Sequence, residues 1–493
     1  MDAARTEPDE TTRLLDNQAD EVRGSDDRSR PKFLQKQILL LVVVLVLLQL
    51  HLIFFSSASG ELKLRQLCYE FLKDHKPDKV GPGGEFDLFD CYFEDPVVQQ
   101  LRELLNWDWG ISSILLLLIV FPYGMVADLR GKKRVIILAL VGQLLSCLWT
   151  VAIVSFPGIF PLRMTWAASA FWLIGGGTPL SIALIYLLAS ESLHEEQRSQ
   201  LYFSLYGVYL VAETIFPTIA FIATLPSPYL GLSISLVFLC GCFLALKYVD
   251  ESTIRDDSGH PEDTESTASP QTNEATVVLP DQVSRQTKLL TLLRSRKVLF
   301  TLALFTLPAF AQVALQALIP YLLVNRSPDE TLQHVLLTIF SGEIFRVVLF
   351  AFFTPWAIAF GQRRFGIRQA KIDTWIIRGS LLLMAISGAF MTSATTVASR
   401  TIAAVVFSTA FGLRVSLLSY VTSLAGPAIR GRLYGTVKAA ETMGQIIIWP
   451  ISRHLLLNVN KRGDPWLELP FVVMSVTSVC VLAIIMVPRA ISN

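Results

Sequence analysis

The chain has little charge and few cysteines for its size. Only 17% of its 493 residues are charged, compared with about 25% in soluble globular domains, and its mean hydropathy is +0.50. The net charge of +1 gives no excess of either sign that would attract a nucleic acid. The six cysteines have no spacing typical of a zinc site or a redox dithiol. The composition therefore excludes an ordinary soluble domain and predicts no nucleic-acid partner, no metal and no other cofactor.

What the chain has instead is a series of apolar segments. Each is about 20 residues long, which is enough to cross a bilayer as a helix. Hydropathy therefore predicts an all-α, multi-pass integral membrane protein whose surface contacts lipid. Twelve crossings are predicted, at residues 37–58, 108–127, 134–156, 164–189, 201–224, 229–248, 298–323, 334–359, 373–394, 400–424, 433–456 and 467–487.

Polar segments divide these crossings into two groups of six. The first 36 residues are charged and lack hydrophobic periodicity, which predicts a disordered tail, and a stretch rich in Asp, Ser, Thr and Pro predicts a linker between the groups. The predicted regions are a tail (1–36), an N-terminal six-helix bundle (37–248) with an extracytoplasmic loop (59–106), a cytoplasmic linker (249–297), a C-terminal six-helix bundle (298–487) and a short tail (488–493).

The distribution of Lys and Arg predicts the orientation. The loops after the second, eighth and tenth crossings carry basic clusters, whereas those after the third, fifth and seventh carry only Arg163 and Arg326. Because basic loops stay in the cytoplasm, both termini are predicted to be cytoplasmic. Glu10, Leu14 and Leu15 resemble an acidic dileucine sorting signal, so the plasma membrane and a vacuolar or endosomal membrane both remain open.

The segment Phe121–Arg134 joins the second and third crossings and has a distinctive pattern. A glycine permits close helix approach, a carboxylate can face a helix N-terminus, and a second glycine turns the backbone before a basic pair. These residues are Gly124, Asp128, Gly131, Lys132 and Lys133. The pattern resembles the signature of major facilitator superfamily transporters, except at Leu129, where that family usually has a basic residue. The resemblance implies two pseudo-symmetric six-helix bundles, and we expect a monomer.

A repeat between the two halves fits this architecture. Leu205-Tyr206-Gly207 followed by Ala212-Glu213-Thr214 recurs as Leu433-Tyr434-Gly435 followed by Ala440-Glu441-Thr442, with identical spacing. A second register, one helical turn away, aligns Arg198 and Tyr202 with Arg430 and Tyr434. Parallel repeats related by an axis along the membrane normal occur in this superfamily.

The predicted outside loop contains two cysteines, Cys68 and Cys91. Cysteines on the oxidising side of a membrane can form a disulfide, and this pair is predicted as a candidate. Their spacing resembles the corresponding loop of a fungal facilitator branch, which is distantly similar to proton-coupled folate and haem transporters. Asn325 begins the one glycosylation sequon predicted to lie outside, although Pro328 follows it directly.

Charged residues inside a crossing cost about 2.5–3.5 kcal/mol each at a helix centre unless they are paired or solvated, and five of those in the predicted crossings are chosen as candidates. They are Glu213, Glu343, Arg346, Arg414 and Glu441. Resemblance to the folate-transporter branch implies a proton-coupling glutamate on the fifth helix and a substrate-binding arginine on the tenth, which are the helices of Glu213 and Arg414. The alternative is a structural ion pair between helices. Glu343 and Arg346 lie three residues apart and can pair structurally, whereas Glu441 fits a gate or a substrate contact.

Three uncharged polar residues, His51, Gln312 and Gln316, are candidates either for substrate contacts or for interhelical hydrogen bonds. The glycine run at 175–177 lacks the Lys and Ser or Thr spacing of a nucleotide site and predicts close packing or an unwound turn.

These features predict a secondary active transporter that moves a small organic solute by alternating access, with protons as the coupling ion. The direction, efflux or uptake, stays open. The alternative is a facilitator-like sensor that binds a solute without moving it. We expect no enzymatic activity, because no catalytic constellation is present at the predicted membrane surface.

Overall fold

The computed structural model describes residues 10–81, 85–88, 91, 94–157, 159–193, 197–250, 296–324, 332–424, 429–457 and 468–486. The regular structure of these residues is helical throughout. Most of the predicted linker 249–297 lies outside the described residues. The glycosylation candidate Asn325 also lies outside them.

Six helical units form the N-terminal half. They are α1 (Glu10–His75), α2 (Asp95–Arg130), α3 (Lys132–Ser155), α4 (Leu162–Glu191), α5 (Arg198–Thr224) and α6 (Pro228–Lys247).

Six more units form the C-terminal half. They are α7 (Arg296–Leu304 and Leu307–Val324), α8 (Leu332–Val348, Leu349–Phe353 and Thr354–Phe365), α9 (Gln369–Ser393), α10 (Val397–Ser423), α11 (Arg430–Leu457) and α12 (Leu469–Met486). Among the described residues, ten helices are long and apolar enough to cross a membrane, and the more polar α11 and the shorter α12 complete twelve. The predicted all-α fold is therefore confirmed.

The largest difference from the prediction concerns α1. Its helix continues past the predicted crossing as far as His75, and α2 begins at Asp95, so much of the predicted loop 59–106 is helical. The reason is amphipathicity, because apolar residues recur every three or four positions and bury one face of this extension. The described backbone of α1 begins at Glu10, inside the predicted tail 1–36.

The buried face of this extension forms a small apolar core outside the bundle. The core contains Leu64, Leu72 and Val97, and the Cys68–Cys91 disulfide lies in it with Cα atoms 5.7 Å apart. We call this α1 extension with its disulfide-linked segment the outer lobe (residues 62–81, 85–88, 91 and 94–104). The disulfide thus connects the end of α1 to the segment that leads into α2.

Helices α4 and α8 contain irregular turns at points of close packing. The first part of α4, Leu162–Leu173, is a 3-10 helix, and Gly175, Gly176 and Gly177 follow it with positive φ angles of 69–89°. A side chain at Gly175 would overlap the backbone of Ala139 in α3. The glycine run therefore forms an unwound turn that packs closely on its neighbour, as predicted.

The second irregularity is the π-helical turn Leu349–Phe353 in α8. It lies opposite Gly207 of α5, where a Cβ atom would overlap Ala351. Phe203 and Phe350 stack beside this contact, with ring centroids 6.0 Å apart. The two halves are therefore joined through α5 and α8 on one side and through α2 and α11 on the other.

Candidate functional site

One charged cluster lies where α5 meets α8. Arg346 forms an ion pair with Glu343 one turn away on the same helix, and its guanidinium is also 3.8 Å from Glu213 of α5. Arg346 is buried, but the Glu213 side chain is 41% exposed. Phe411 of α10 lies under the guanidinium at 5.1 Å. This α5–α8 cluster holds two carboxylates for one cation.

A second cluster lies between α10 and α11. Arg414 Nε donates to Glu441 Oε1 at 2.6 Å, and Lys438 Nζ donates to Glu441 Oε2 at 2.6 Å. Glu441 is almost fully buried, whereas the Arg414 side chain is 30% exposed. This α10–α11 cluster holds two cations for one carboxylate, which is the opposite charge balance.

Two tyrosines of α5 lie between the clusters. Tyr206 is within electrostatic range of Glu213, Arg346 and Arg414, and Tyr209 is within range of both Glu213 and Arg414. The two clusters therefore border one shared polar region between the halves. Hydroxyl groups there can donate and accept hydrogen bonds.

The structure brings the five charged candidates into two separate groups. The predicted Glu343–Arg346 pair is present, and Arg346 is the cation nearest to Glu213. Arg414 instead pairs with Glu441, a partnership that the sequence does not reveal because 27 residues separate the two positions.

The uncharged candidates lie in different environments. His51 is fully buried within the N-terminal half, where its Nδ1 atom is 2.8 Å from Ser235 Oγ and its Nε2 atom is 3.4 Å from Gln143 Nε2. These contacts correspond to the interhelical alternative for His51. Gln312 and Gln316 lie one turn apart on an exposed face of α7.

The predicted signature residues lie at the end of the bundle that carries the basic loops, which we call the basic end. Asp128 accepts hydrogen bonds from the backbone N–H groups of Gly431, at 2.6 Å, and Arg432, at 2.9 Å. These donors belong to the first turn of α11, where N–H groups lack helical partners and the helix dipole favours a carboxylate. Gly124 permits the approach, since a Cβ atom there would lie 2.8 Å from the Gly431 carbonyl oxygen.

The remaining signature residues stabilise the N-terminal half. Gly131 ends α2 with a φ of 98°, which glycine adopts readily. Lys132 pairs with Glu191 of α4 at 2.8 Å, and Lys133 donates to the carbonyl oxygen of Val249 at 2.6 Å. Leu129, the position that departs from the family pattern, is 41% exposed.

A buried aspartate that sequence analysis did not identify also joins the two halves. Asp373 of α9 is fully buried and accepts hydrogen bonds from Ser199 of α5 and Ser419 of α10, both at 2.7 Å. It was not identified because it begins a predicted crossing, where an acidic residue is unremarkable. No motif marks Asp373 in the sequence, and only the packing of α9 against α5 and α10 shows its role.

The tyrosines of the second register also meet at the basic end. The hydroxyl oxygens of Tyr202 and Tyr434 are 2.5 Å apart, and Thr422 lies 2.9 Å from Tyr434. Equivalent residues that contact each other lie on the axis relating the repeats. Of the two possible alignments of the repeat, the one that pairs Tyr202 with Tyr434 therefore matches the contact at the basic end.

The opposite end is joined through aromatic residues of α2 and α11. Trp449 donates from its indole nitrogen to the Asn106 carbonyl oxygen at 3.2 Å and packs edge-on against Trp107. Arg453 lies over the Trp107 ring and is 3.6 Å from Glu103. The α2–α11 pair is therefore in contact at both ends of the bundle.

Comparison with known proteins agrees with this architecture. A family model described as "Major Facilitator Superfamily" matches residues 103–448. The chain belongs to the Major Facilitator Superfamily. The MFS-type transporter aprT of Aspergillus flavus is 22% identical over 418 residues, which cover 83% of this chain and 79% of aprT. The MFS efflux pump atnC of Emericella nidulans is 24% identical over 149 residues, and that match spans only 30% of this chain and 29% of the pump.

Solved structures show the same fold at low sequence identity. The human organic anion transporter MFSD10 aligns with a TM-score of 0.55 at 14% identity, covering 90% of this chain and 99% of that protein. The proton:xylose symporter XylE aligns with a TM-score of 0.55 at 14% identity, covering 92% and 96%. The protein is therefore a multi-pass membrane protein with the major facilitator fold, as the sequence signature predicts.

Proposed function

We propose that this protein is a proton-coupled secondary transporter for a small organic solute that carries an anionic group. The observation that carries the proposal is the opposite charge balance of the two clusters beside one polar region. Alternating access would expose that region to each side of the membrane in turn.

The α10–α11 cluster supplies the anion contact. Its two cations share one buried carboxylate, so the cluster keeps one positive charge when all three groups are ionised. Arg414 is the more accessible cation, and a guanidinium can hold a carboxylate through two parallel hydrogen bonds. Arg414 is therefore the proposed substrate residue.

The α5–α8 cluster supplies the proton site. Arg346 is already in direct contact with Glu343, and Glu213 is farther from it and considerably exposed. A carboxylate that water can reach, and that a cation only partly neutralises, can gain and lose a proton during a transport cycle. Glu213 is the proposed proton carrier, and Glu343 keeps Arg346 in position.

The contacts at the basic end form the proposed gate. Asp128, Asp373 and the Tyr202–Tyr434 pair all bridge the two halves there. The positive-inside rule assigns this end to the cytoplasm, in a plasma or vacuolar or endosomal membrane. The description of atnC as an efflux pump favours export as the direction.

Purified protein in proteoliposomes tests the roles of Glu213 and Arg414. A panel of carboxylates (benzoate, phenylacetate and citrate) is applied under a pH gradient, and an enclosed pH dye reports solute-driven proton flux. We expect Glu213→Gln to abolish that proton flux while solute exchange without a gradient continues. Arg414→Gln should lose both signals, because the anion contact is gone.

Glu94→Gln is the matched control, since it neutralises a partly exposed carboxylate of the outer lobe, outside both clusters. Its proton flux and solute exchange should equal those of the wild-type protein. Full pH dependence in Glu213→Gln would remove Glu213 from the proton pathway.

A further inference from the structure

One face of α9 points away from the rest of the protein. Side chains at helical spacing form a stripe along this face. In it Trp375 is 52% exposed, and Leu382 and Ile386 are each 48% exposed. The opposite face is buried, through residues such as Leu381 and Met384. In a chain that spans the membrane, an exposed apolar stripe of this kind faces lipid.

Arg378 lies in this stripe, one turn from both Trp375 and Leu382. It is nine residues into α9, which places its backbone about 14 Å along the helix axis from Gln369. Its Nε atom is buried and has no hydrogen-bond partner, and no carboxylate lies within ion-pair distance of Arg378 in the part of the chain that the structure describes.

The lack of a partner distinguishes Arg378 from the arginines of the central site. Arg346 and Arg414 each contact a glutamate. An unpaired arginine at a helix centre costs about 2.5–3.5 kcal/mol, and a long side chain reduces this cost by extending towards the headgroup region. The missing counter-charge for Arg378 must therefore come from outside the described chain.

The surroundings of Arg378 favour a negatively charged partner at the basic end. Lys371 continues the stripe towards that end and lies over the Trp375 ring at 5.4 Å. Arg368 is also exposed, and the whole segment 361–393 contains a single acidic residue, Asp373, which is fully buried and bonded to Ser199 and Ser419. Tryptophan and basic residues together are typical of the level of the lipid headgroups.

We propose that Arg378 and Lys371 bind the phosphate of an anionic phospholipid on the outer face of α9. The planar guanidinium can hold two phosphate oxygens, while the Lys371 ammonium contributes a second charge nearer to the surface. Trp375 packs between these two cations along the stripe, where it contacts the lipid backbone. The acyl chains continue over Leu382 and Ile386.

Native mass spectrometry of the full-length protein tests this site. The probe is dioleoyl-phosphatidylglycerol, and dioleoyl-phosphatidylcholine, which has the same phosphate but no net charge, is the comparison lipid. We expect the wild-type protein to retain phosphatidylglycerol preferentially. Arg378→Gln and Lys371→Gln should each weaken its retention about fivefold, since one basic residue near an anionic surface contributes about that factor.

Two controls make the result decisive. Arg378→Lys keeps the charge but loses the planar pair of donors, so it should retain less phosphatidylglycerol than the wild-type protein and more than Arg378→Gln, and equal Tm values for the two variants exclude a folding defect. Arg163→Gln removes an exposed arginine far from α9 and should change nothing. Equal phosphatidylglycerol retention by wild-type protein and Arg378→Gln would overturn the proposal. A second result would also overturn it: light scattering that shows a wild-type dimer and a monomer for Arg378→Gln. The counter-charge of Arg378 would then belong to a second copy of the protein.

Discussion

Glu441 connects two cations that would otherwise face each other unpaired. Its carboxylate oxygens accept hydrogen bonds from Arg414 on α10 and from Lys438 on its own helix. Removing one member of a buried ion pair leaves the other charges desolvated without compensation, which costs more than the pair itself contributes. Glu441 is therefore a stabilising residue as well as the group that positions Arg414.

We expect Glu441→Gln to lower the free energy of unfolding by about 3–5 kcal/mol, because Arg414 and Lys438 would then repel each other in a buried site. Thermal unfolding in detergent measures the loss as a decrease in Tm. Glu103→Gln is a suitable comparison, since the Glu103–Arg453 pair is exposed and should contribute less than about 1 kcal/mol. Equal Tm values for the two variants would contradict this account of the α10–α11 cluster.

The α1 helix packs in two different places, the helical bundle and the outer lobe. Within the bundle it packs on α5 and α6, and beyond the bundle its amphipathic extension forms the apolar core of the outer lobe. That core is small, so we expect it to depend on the disulfide, as small domains with few apolar contacts do. The outer lobe and the bundle therefore have separate sources of stability.

Replacing both cysteines, in Cys68→Ser with Cys91→Ser, should destabilise the outer lobe by roughly 3 kcal/mol, the chain-entropy value for a loop of this length. Hydrogen exchange should then increase in residues 62–76, while α3 and α9 keep their wild-type protection. Cys147→Ser, which alters a buried free cysteine inside the bundle, is the control. Unchanged exchange in the outer lobe would show that its apolar contacts suffice.

The whole molecule is two helical bundles that are in contact at both ends. Asp128, Asp373 and the tyrosine pair each bridge the halves at the basic end, whereas the opposite end is joined through α2 and α11. Hydrogen bonds to a charged group contribute about 1.5–3 kcal/mol each, which is enough to shift a two-state equilibrium tenfold or more. If the basic end is the gate proposed above, these polar contacts are what opening must break.

We expect Asp128→Asn to increase the population that is open at the basic end about tenfold, because a neutral amide accepts more weakly from the N-terminus of α11. Spin labels at Leu129→Cys and Ala370→Cys, in a protein without the four free cysteines, should report a longer distance between the halves. Glu61→Gln, which breaks the Glu61–Arg65 pair within α1, should leave the distance unchanged. A distance distribution in Asp128→Asn identical to that of the parent protein would contradict this role for Asp128.

The amino-acid sequence determined the number of helices, their approximate bounds, the signature at the α2–α3 turn and the family. These are local properties, since apolar length decides which segments can cross a bilayer and the signature occupies fourteen consecutive residues. The π-turn in α8 was not predicted, since no local pattern marks it, and the structure places Gly207 of α5 against it.

Tertiary structure alone decided which charges meet. The sequence identifies Glu213, Arg346, Arg414 and Glu441 as costly residues within the membrane, but their partners depend on the rotation and depth of each helix against its neighbours. The same packing buries Asp373 between the halves and leaves Arg378 partly exposed beside the apolar stripe of α9. A residue's cost in the membrane follows from its own chemistry, whereas its partner follows from how the helices pack.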